Sequence, residues 1–150
     1  MVCVSLRPLK VQDLELVLAW RSNPRIYRYF RDQSEPLQWD DHVEWFASRD
    51  PERRDFIIEH DGRRVGSVAI TAAGEVSIYI GEVSLWGSGV ATAALTTACE
   101  RVENDQLTAW IHEENESSQD LFERCGFAFL DEDGDWLEYQ FEQPSRNDSG

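Results

Sequence analysis

The chain has 150 residues, 29 of them acidic and 14 basic, for a net charge of −15 at pH 7. That length suits one domain with a single substantial core, and the charge repels phosphate chains, which excludes nucleic acid as a partner. No apolar run approaches the ~20 residues that cross a bilayer, so the reading is a cytoplasmic protein with no membrane contact.

Residues 1–10 lack the apolar stretch of a secretory leader. Cys3, Cys99 and Cys125 are too few and too scattered for a disulfide framework or a zinc site, so no metal is expected. The basic residues are thirteen Arg and only Lys10. An acid-rich, lysine-poor surface stays hydrated where molar salt screens charge to ~3 Å, which points to a halophilic source. A genome favouring Arg codons would give the same bias.

In chain order, Val2–Leu6 predicts a short strand ended by Arg7-Pro8. Asp13–Trp20 predicts a helix with Leu14, Val17 and Leu18 on one face, broken at Ser22-Asn23-Pro24. Short helices follow over Arg25–Phe30 and Leu37–Ala47, in a region rich in Arg and aromatic residues. The period then changes to strands: Phe56–His60, an Asp61-Gly62 hairpin turn, Val65–Thr71, a turn at Ala73-Gly74, and Glu75–Ile80. A helix runs from Val90 to Val102, with Cys99 a small core residue on its apolar face. A strand is expected over Leu107–Ile111, a helix over Asn115–Arg124 ended by Gly126, and a closing hairpin of Ala128–Leu130 with Trp136–Phe141. This order predicts a mixed α/β fold with an antiparallel meander and helices on both faces. One domain over 1–142 and a polar, frayed tail over 143–150 are expected.

The chain turns on Leu85-Trp86-Gly87-Ser88-Gly89-Val90-Ala91. A strand, a glycine turn and a helix starting inside that turn leave backbone N–H groups unpaired at the positive end of the helix dipole. Gly87 and Gly89 let a ligand approach the backbone, so the loop suits a phosphate or pyrophosphate. It is neither a Walker loop nor a Gly-x-Gly-x-x-Gly loop, since position 92 is Thr. A sharp turn into a helix that merely needs glycine is the plainer account.

At Asn115-Glu116-Ser117-Ser118 and Leu121-Phe122-Glu123-Arg124-Cys125-Gly126-Phe127 the chain resembles the GNAT superfamily of acetyl-CoA-dependent N-acetyltransferases. The glycine turn, with Gly89 and Ala91 in register, is similar to that family's cofactor loop. The resemblance implies a mostly antiparallel sheet of about seven strands, with the fourth and fifth splayed. It also implies acetyl-CoA as acetyl donor. The backbone of Trp86, Gly87, Ser88, Gly89, Val90 and Ala91 would hold its pyrophosphate. Tyr79, Ile80 and Gly81 would pair with the pantetheine arm, Gly81 suiting a bulge, and Asn115 and Ser118 would lie near that arm. Trp86 stands where the family has Arg or Gln, and Phe122 where it often has a Tyr that protonates the departing thiolate. Tyr79 is one stand-in for that acid.

Leu18–Pro24 and His42–Phe46 are similar to stretches of amino-sugar acetyltransferases of the pseudaminic-acid-pathway type. That implies a small-molecule primary amine as acceptor, on an amino sugar or a nucleotide-linked one. Arg21, Asn23, Tyr29, Phe30 and Trp39 would bind it, aromatic faces taking rings and Arg taking phosphate. A ribosomal-protein-type N-terminal acetyltransferase and a non-catalytic CoA-binding module remain open, and a homodimer is admitted. The expected chemistry is direct attack by the amine, with a fourth-strand N–H steadying the oxyanion. Base candidates are Glu75, Glu82 and His42. Glu75 shares strand parity with Ser77, Tyr79 and Gly81, whereas Glu82 has the opposite parity.

Overall fold

A computed structural model describes residues 2–31 and 33–143. The tail expected from 143 onward therefore lies, from 144, outside the described residues. The elements are β1 (Ser5–Pro8), α1 (Leu14–Arg21), α2 (Pro24–Tyr27), α3 (Trp39–Ala47), β2 (Arg54–His60), β3 (Arg63–Ile70), β4 (Val76–Ile80), α4 (Val90–Arg101), β5 (Gln106–His112), α5 (Glu116–Arg124), β6 (Ala128–Asp133) and β7 (Trp136–Glu142). As the strand order predicts, the fold is mixed α/β, with seven strands among the described residues. No helix among the described residues is long and apolar enough to cross a membrane.

The strands form two antiparallel groups, β1-β2-β3-β4 and β5-β7-β6. One parallel bridge, Glu75 to Thr108, joins them, and the Thr108 N–H donates to the Gly74 carbonyl at 2.9 Å. Beyond that point β4 pairs only with β3, and β5 only with β7. The fourth and fifth strands therefore part like a wedge, opening toward the C-terminal ends of both.

Side-chain alternation sends β4 and β5 residues to two different layers. Val76, Ile80, Leu107, Ala109 and Ile111 join Ala94, Leu95 and Ala98 of α4 and Phe122 of α5 in the main core. On the opposite face Leu14, Val17 and Trp20 of α1 pack over Ile57, with Tyr79 against them. Cys99 lies in the main core, where burial pushes its thiol up to about 12. Both sheet margins resist adding strands: β1 ends in Pro8, and β6 carries Asp131, Glu132 and Asp133 exposed.

Most boundaries differ from expectation by one to three residues, β6 for instance running on from Leu130 to Asp133, and three changes lie ahead of β2. β1 includes Arg7 and Pro8, which pair with Ile57 and Phe56; a proline is tolerated there because the strand is an edge. The second helix shrinks from Arg25–Phe30 to a single turn, Pro24–Tyr27, with Pro24 at its first position. The third begins at Trp39 instead of Leu37.

Candidate functional site

The bulge expected at Gly81 is present. Gly81 and Glu82 both donate to the carbonyl of Val65, at 2.7 and 3.2 Å, two residues against one. Gly81 is required for a second reason, since a Cβ there would be driven into the Trp20 ring. The bulge takes Glu82 out of the strand alternation, so its parity no longer says which face it serves. It also sets β4's outward groups. Gly81 and Glu75 bond to β3 (Thr71 N–H to Glu75 carbonyl, 3.0 Å), so the odd-numbered residues between them turn their N–H and C=O toward β3. Tyr79 and Gly81 are thereby corrected as backbone partners for an entering arm. Ile78 and Ile80 turn toward the gap. The Ile80 carbonyl accepts from Trp86 Nε1 at 2.9 Å, which leaves its N–H as the open group.

The loop after β4 is partly self-satisfied. Trp86 N–H donates to Val83 and Ser88 N–H to Leu85, both at 3.1 Å, so these two are removed from the six amides expected to face a phosphate. Val90 N–H reaches Ser88 Oγ only at 3.4 Å. The N–H groups of Gly87, Gly89, Ala91 and, unanticipated, Thr92 have no acceptor among the described residues. Gly87 and Gly89 adopt φ of 79° and 94°, which explains glycine at both. Open amides at a helix start and an open wedge beside it fit a pyrophosphate with an extended tail.

The other half of the site is built by residues 20–31, which cross the wedge, and by Gln33. Arg25 lies over the Trp86 ring at 5.2 Å, beside the loop. Phe30 packs on Tyr79 of β4 at 5.6 Å. Tyr29 stacks on His112 of β5 at 5.3 Å. Arg31 lies over Trp110 of β5 at 4.6 Å and Trp136 of β7 at 5.7 Å, and meets Glu75 of β4 at 3.6 Å. The crossing segment is fastened by Gln33, which is buried and donates to the Arg21 carbonyl at 2.6 Å while accepting from Arg21 Nε at 3.1 Å. Trp110, His112 and Trp136 were missed from sequence. The signal was the alternation Leu107, Ala109, Ile111 buried against Thr108, Trp110, His112 on the other face.

Several expected roles change. Asn23 caps α2, its Oδ1 accepting from Arg25 N–H at 3.0 Å, so it no longer reads as an acceptor ligand. Asn115 and Ser118 bond to each other at the start of α5: Ser118 N–H to Asn115 Oδ1 at 3.2 Å and Asn115 Nδ2 to Ser118 Oγ at 3.0 Å. His42 is 2% exposed, stacks on Trp45 at 5.7 Å and bonds through Nε2 to the Leu14 carbonyl at 3.1 Å. Burial pushes its pKa down, so a closed-in, neutral imidazole between α1 and α3 is corrected as a base. Trp39 is 43% exposed beside it, away from the crossing segment's contacts.

Tyr79 also fails as a thiolate acid. Its hydroxyl is buried with no partner; neighbouring Ser67 donates instead to the Phe56 carbonyl at 3.1 Å. Burial raises its pKa well above the ordinary tyrosine range. Phe122 is packed edge-on against Phe127 at 4.9 Å, in the core.

Comparison with known proteins places these features. The acetyltransferase (GNAT) domain family matches residues 4–128. An uncharacterized protein of Methanocaldococcus jannaschii is 38% identical over 83% of this chain; the chain spans 28% of that protein's length. YwnH of Bacillus subtilis, provisionally named a phosphinothricin acetyltransferase, is 31% identical over 83% of this chain and 84% of its own. Among solved structures, a domain from Methanocaldococcus jannaschii superposes with a TM-score of 0.87 at 33% identity, covering 95% of this chain and 100% of that one. The spermidine N-acetyltransferase of Vibrio cholerae, bound to CoA and spermine, gives 0.84 at 20% identity over 93% of this chain and 95% of its own, a likeness of fold.

Proposed function

The chain belongs to the GNAT acetyltransferase family, and from that premise we propose that it moves an acetyl group from acetyl-CoA to the primary amine of a small molecule, an amino sugar or a nucleotide-linked amino sugar. The observation that carries the reading is the coincidence of two openings. Among the described residues the amides of Gly87, Gly89, Ala91 and Thr92 lack protein acceptors, and the β4 edge beside them has parted from β5 after one bridge at Glu75. The first suits a diphosphate, the second an extended amide-bearing arm that pairs with Ile78 and Ile80. Acetyl-CoA, when bound, supplies a thioester carbonyl open to a nucleophile.

The chain's own residues do the rest. The Ile78 or Ile80 N–H, aimed into the wedge, donates to the carbonyl oxygen as charge builds on it. The crossing segment and the rings of Tyr29, Phe30, Trp110 and Trp136 orient the acceptor and exclude water. Glu75, on the face that carries Tyr79 and Thr108, takes the amine proton; Glu82, half-buried and without a carboxylate partner bond among the described residues, is the second candidate. The new C–N bond replaces the C–S bond, and the sulfur leaves as a tolerable group with a pKa of about 8.5. No side-chain acid is then required where Phe122 stands.

Calorimetry with acetyl-CoA, followed by free-thiol release over amino sugars, nucleotide-linked amino sugars and N-terminal peptides, tests this. Heat with acetyl-CoA and thiol release with sugars is the expected result. Thiol release with peptides alone reverses the acceptor; heat without turnover on any amine leaves a binding module.

A further inference from the structure

We propose that the acceptor carries an oxyanion, a phosphate or carboxylate, read by Arg28 and Arg31, and that polycationic amines are turned away. The proposal rests on the acetyltransferase reading above and narrows its substrate class. Residues 21–31 contain four arginines before the first acid of this stretch, Asp32, in a chain with 29 acidic residues. This segment lies across the wedge, from the cofactor loop to β7. It is a local run of positive charge laid against the wedge.

Three of these arginines lie on aromatic rings with weak carboxylate pairing or none among the described residues. Arg25 and Arg28 have no carboxylate within ion-pair distance among the described residues; Arg28 lies over Tyr29 at 4.8 Å. Arg31 rests on two tryptophans and meets Glu75 only at 3.6 Å, with both side chains more than a third exposed. Such an exposed pair is weak and easily exchanged. A guanidinium lying on a ring face is held by the ring's quadrupole while its N–H donors stay free around the edge. That fork matches two oxygens of a phosphate or carboxylate. Arg7 and Arg53, in contrast, are tied directly to Asp13 and Asp55 at 2.7 and 3.0 Å, although Arg53 also lies over Trp45. Trp110 and Trp136 beneath hold the Arg31 guanidinium in place, and His112 holds the ring of Tyr29. A polycation would bring like charges against the arginine row.

Matched acceptors test it: glucosamine against glucosamine 6-phosphate, glycinamide against glycine, and spermidine as polycation. The expected result is a KM lower by about tenfold for the anionic member of at least one pair, the scale of one added charge-assisted hydrogen bond pair, with spermidine poorest. Which pair responds separates phosphate from carboxylate. Arg28→Gln and Arg31→Gln should each move that KM ratio toward one, and Arg31→Lys should restore only part of it, a pattern that loss of fold would not give. Equal KM values within both pairs, preference for spermidine, or a ratio untouched by both Gln variants overturns the proposal. Should no amine be turned over, the same pairs are titrated against tryptophan fluorescence, and equal affinities overturn it. Absence of acetyl-CoA heat with the wild type would instead defeat the parent reading.

Discussion

Asp13 shows how a single buried charge positions the site. It is wholly buried and accepts from Arg7 Nη1 and Nη2 at 2.7 and 2.8 Å, Arg64 Nη1 at 3.2 Å, and Lys10 N–H at 2.9 Å. It thereby ties the start of α1 to β1 and β3, and α1 ends in Trp20 and Arg21 at the wedge. The Arg7 hydrogen bonds hold the carboxyl at about 2. A depressed carboxylate stabilises the fold above its unfolded value near 4, and that contribution disappears as pH falls from about 4 to about 2. Asp13→Asn should cost about 3–5 kcal/mol at pH 7 by leaving arginines uncompensated, and should flatten the acid limb; urea titrations at pH 7 and pH 3 read both. Glu75 carries the chemical prediction at this scale. Glu75→Gln should lower kcat by about 10²-fold or more with the KM for acetyl-CoA unchanged. An unchanged kcat would transfer the role to Glu82.

At the scale of an element, the loop between β4 and α4 separates two uses of glycine. Gly87 has φ of 79° and Gly62, in the β2–β3 hairpin, 76°, and a Cβ at either would meet nothing within 4 Å. Alanine at each therefore probes backbone conformation alone, at a cost of about 1–2 kcal/mol. Gly87→Ala should also raise the KM for acetyl-CoA several-fold, because the amides at 87 and 89 lose their aim. Gly62→Ala should leave that KM alone. Equal KM in the two variants would mean the loop's amides do not grip the cofactor. The loop was visible in the sequence as glycines before a helical period. Which of its amides were open was not, because Trp86 and Ser88 close a turn on Val83 and Leu85 that no period announces.

For the whole molecule, the −15 charge and the divided sheet act together. Two strand groups joined by one bridge have little ladder to hold them. The crossing segment, through Phe30 on Tyr79 and Arg31 on Trp110 and Trp136, adds side-chain contacts across the wedge. Self-repulsion works against that closure and is relieved by salt. The melting temperature should rise by several degrees between 0.05 and 1 M KCl, as read by circular dichroism. A flat or falling curve would mean that repulsion does not limit stability.

The sequence by itself determined the element order, the antiparallel meander and the glycine loop, because each is written in a local period or a turn residue; the wedge was implied only by the family resemblance. Tertiary structure alone decided which groups serve the site. Strand pairing turned Ile78 and Ile80, not Tyr79 and Gly81, toward the gap, and packing of α1 on α3 enclosed His42. The return of residues 20–31 over β5 and β7 brought Trp110 and Trp136 beneath Arg31 and His112 beneath Tyr29, from positions about eighty to a hundred residues away. Hydrogen-bond direction and long-range contact depend on which strand lies beside which, and no local pattern encodes that.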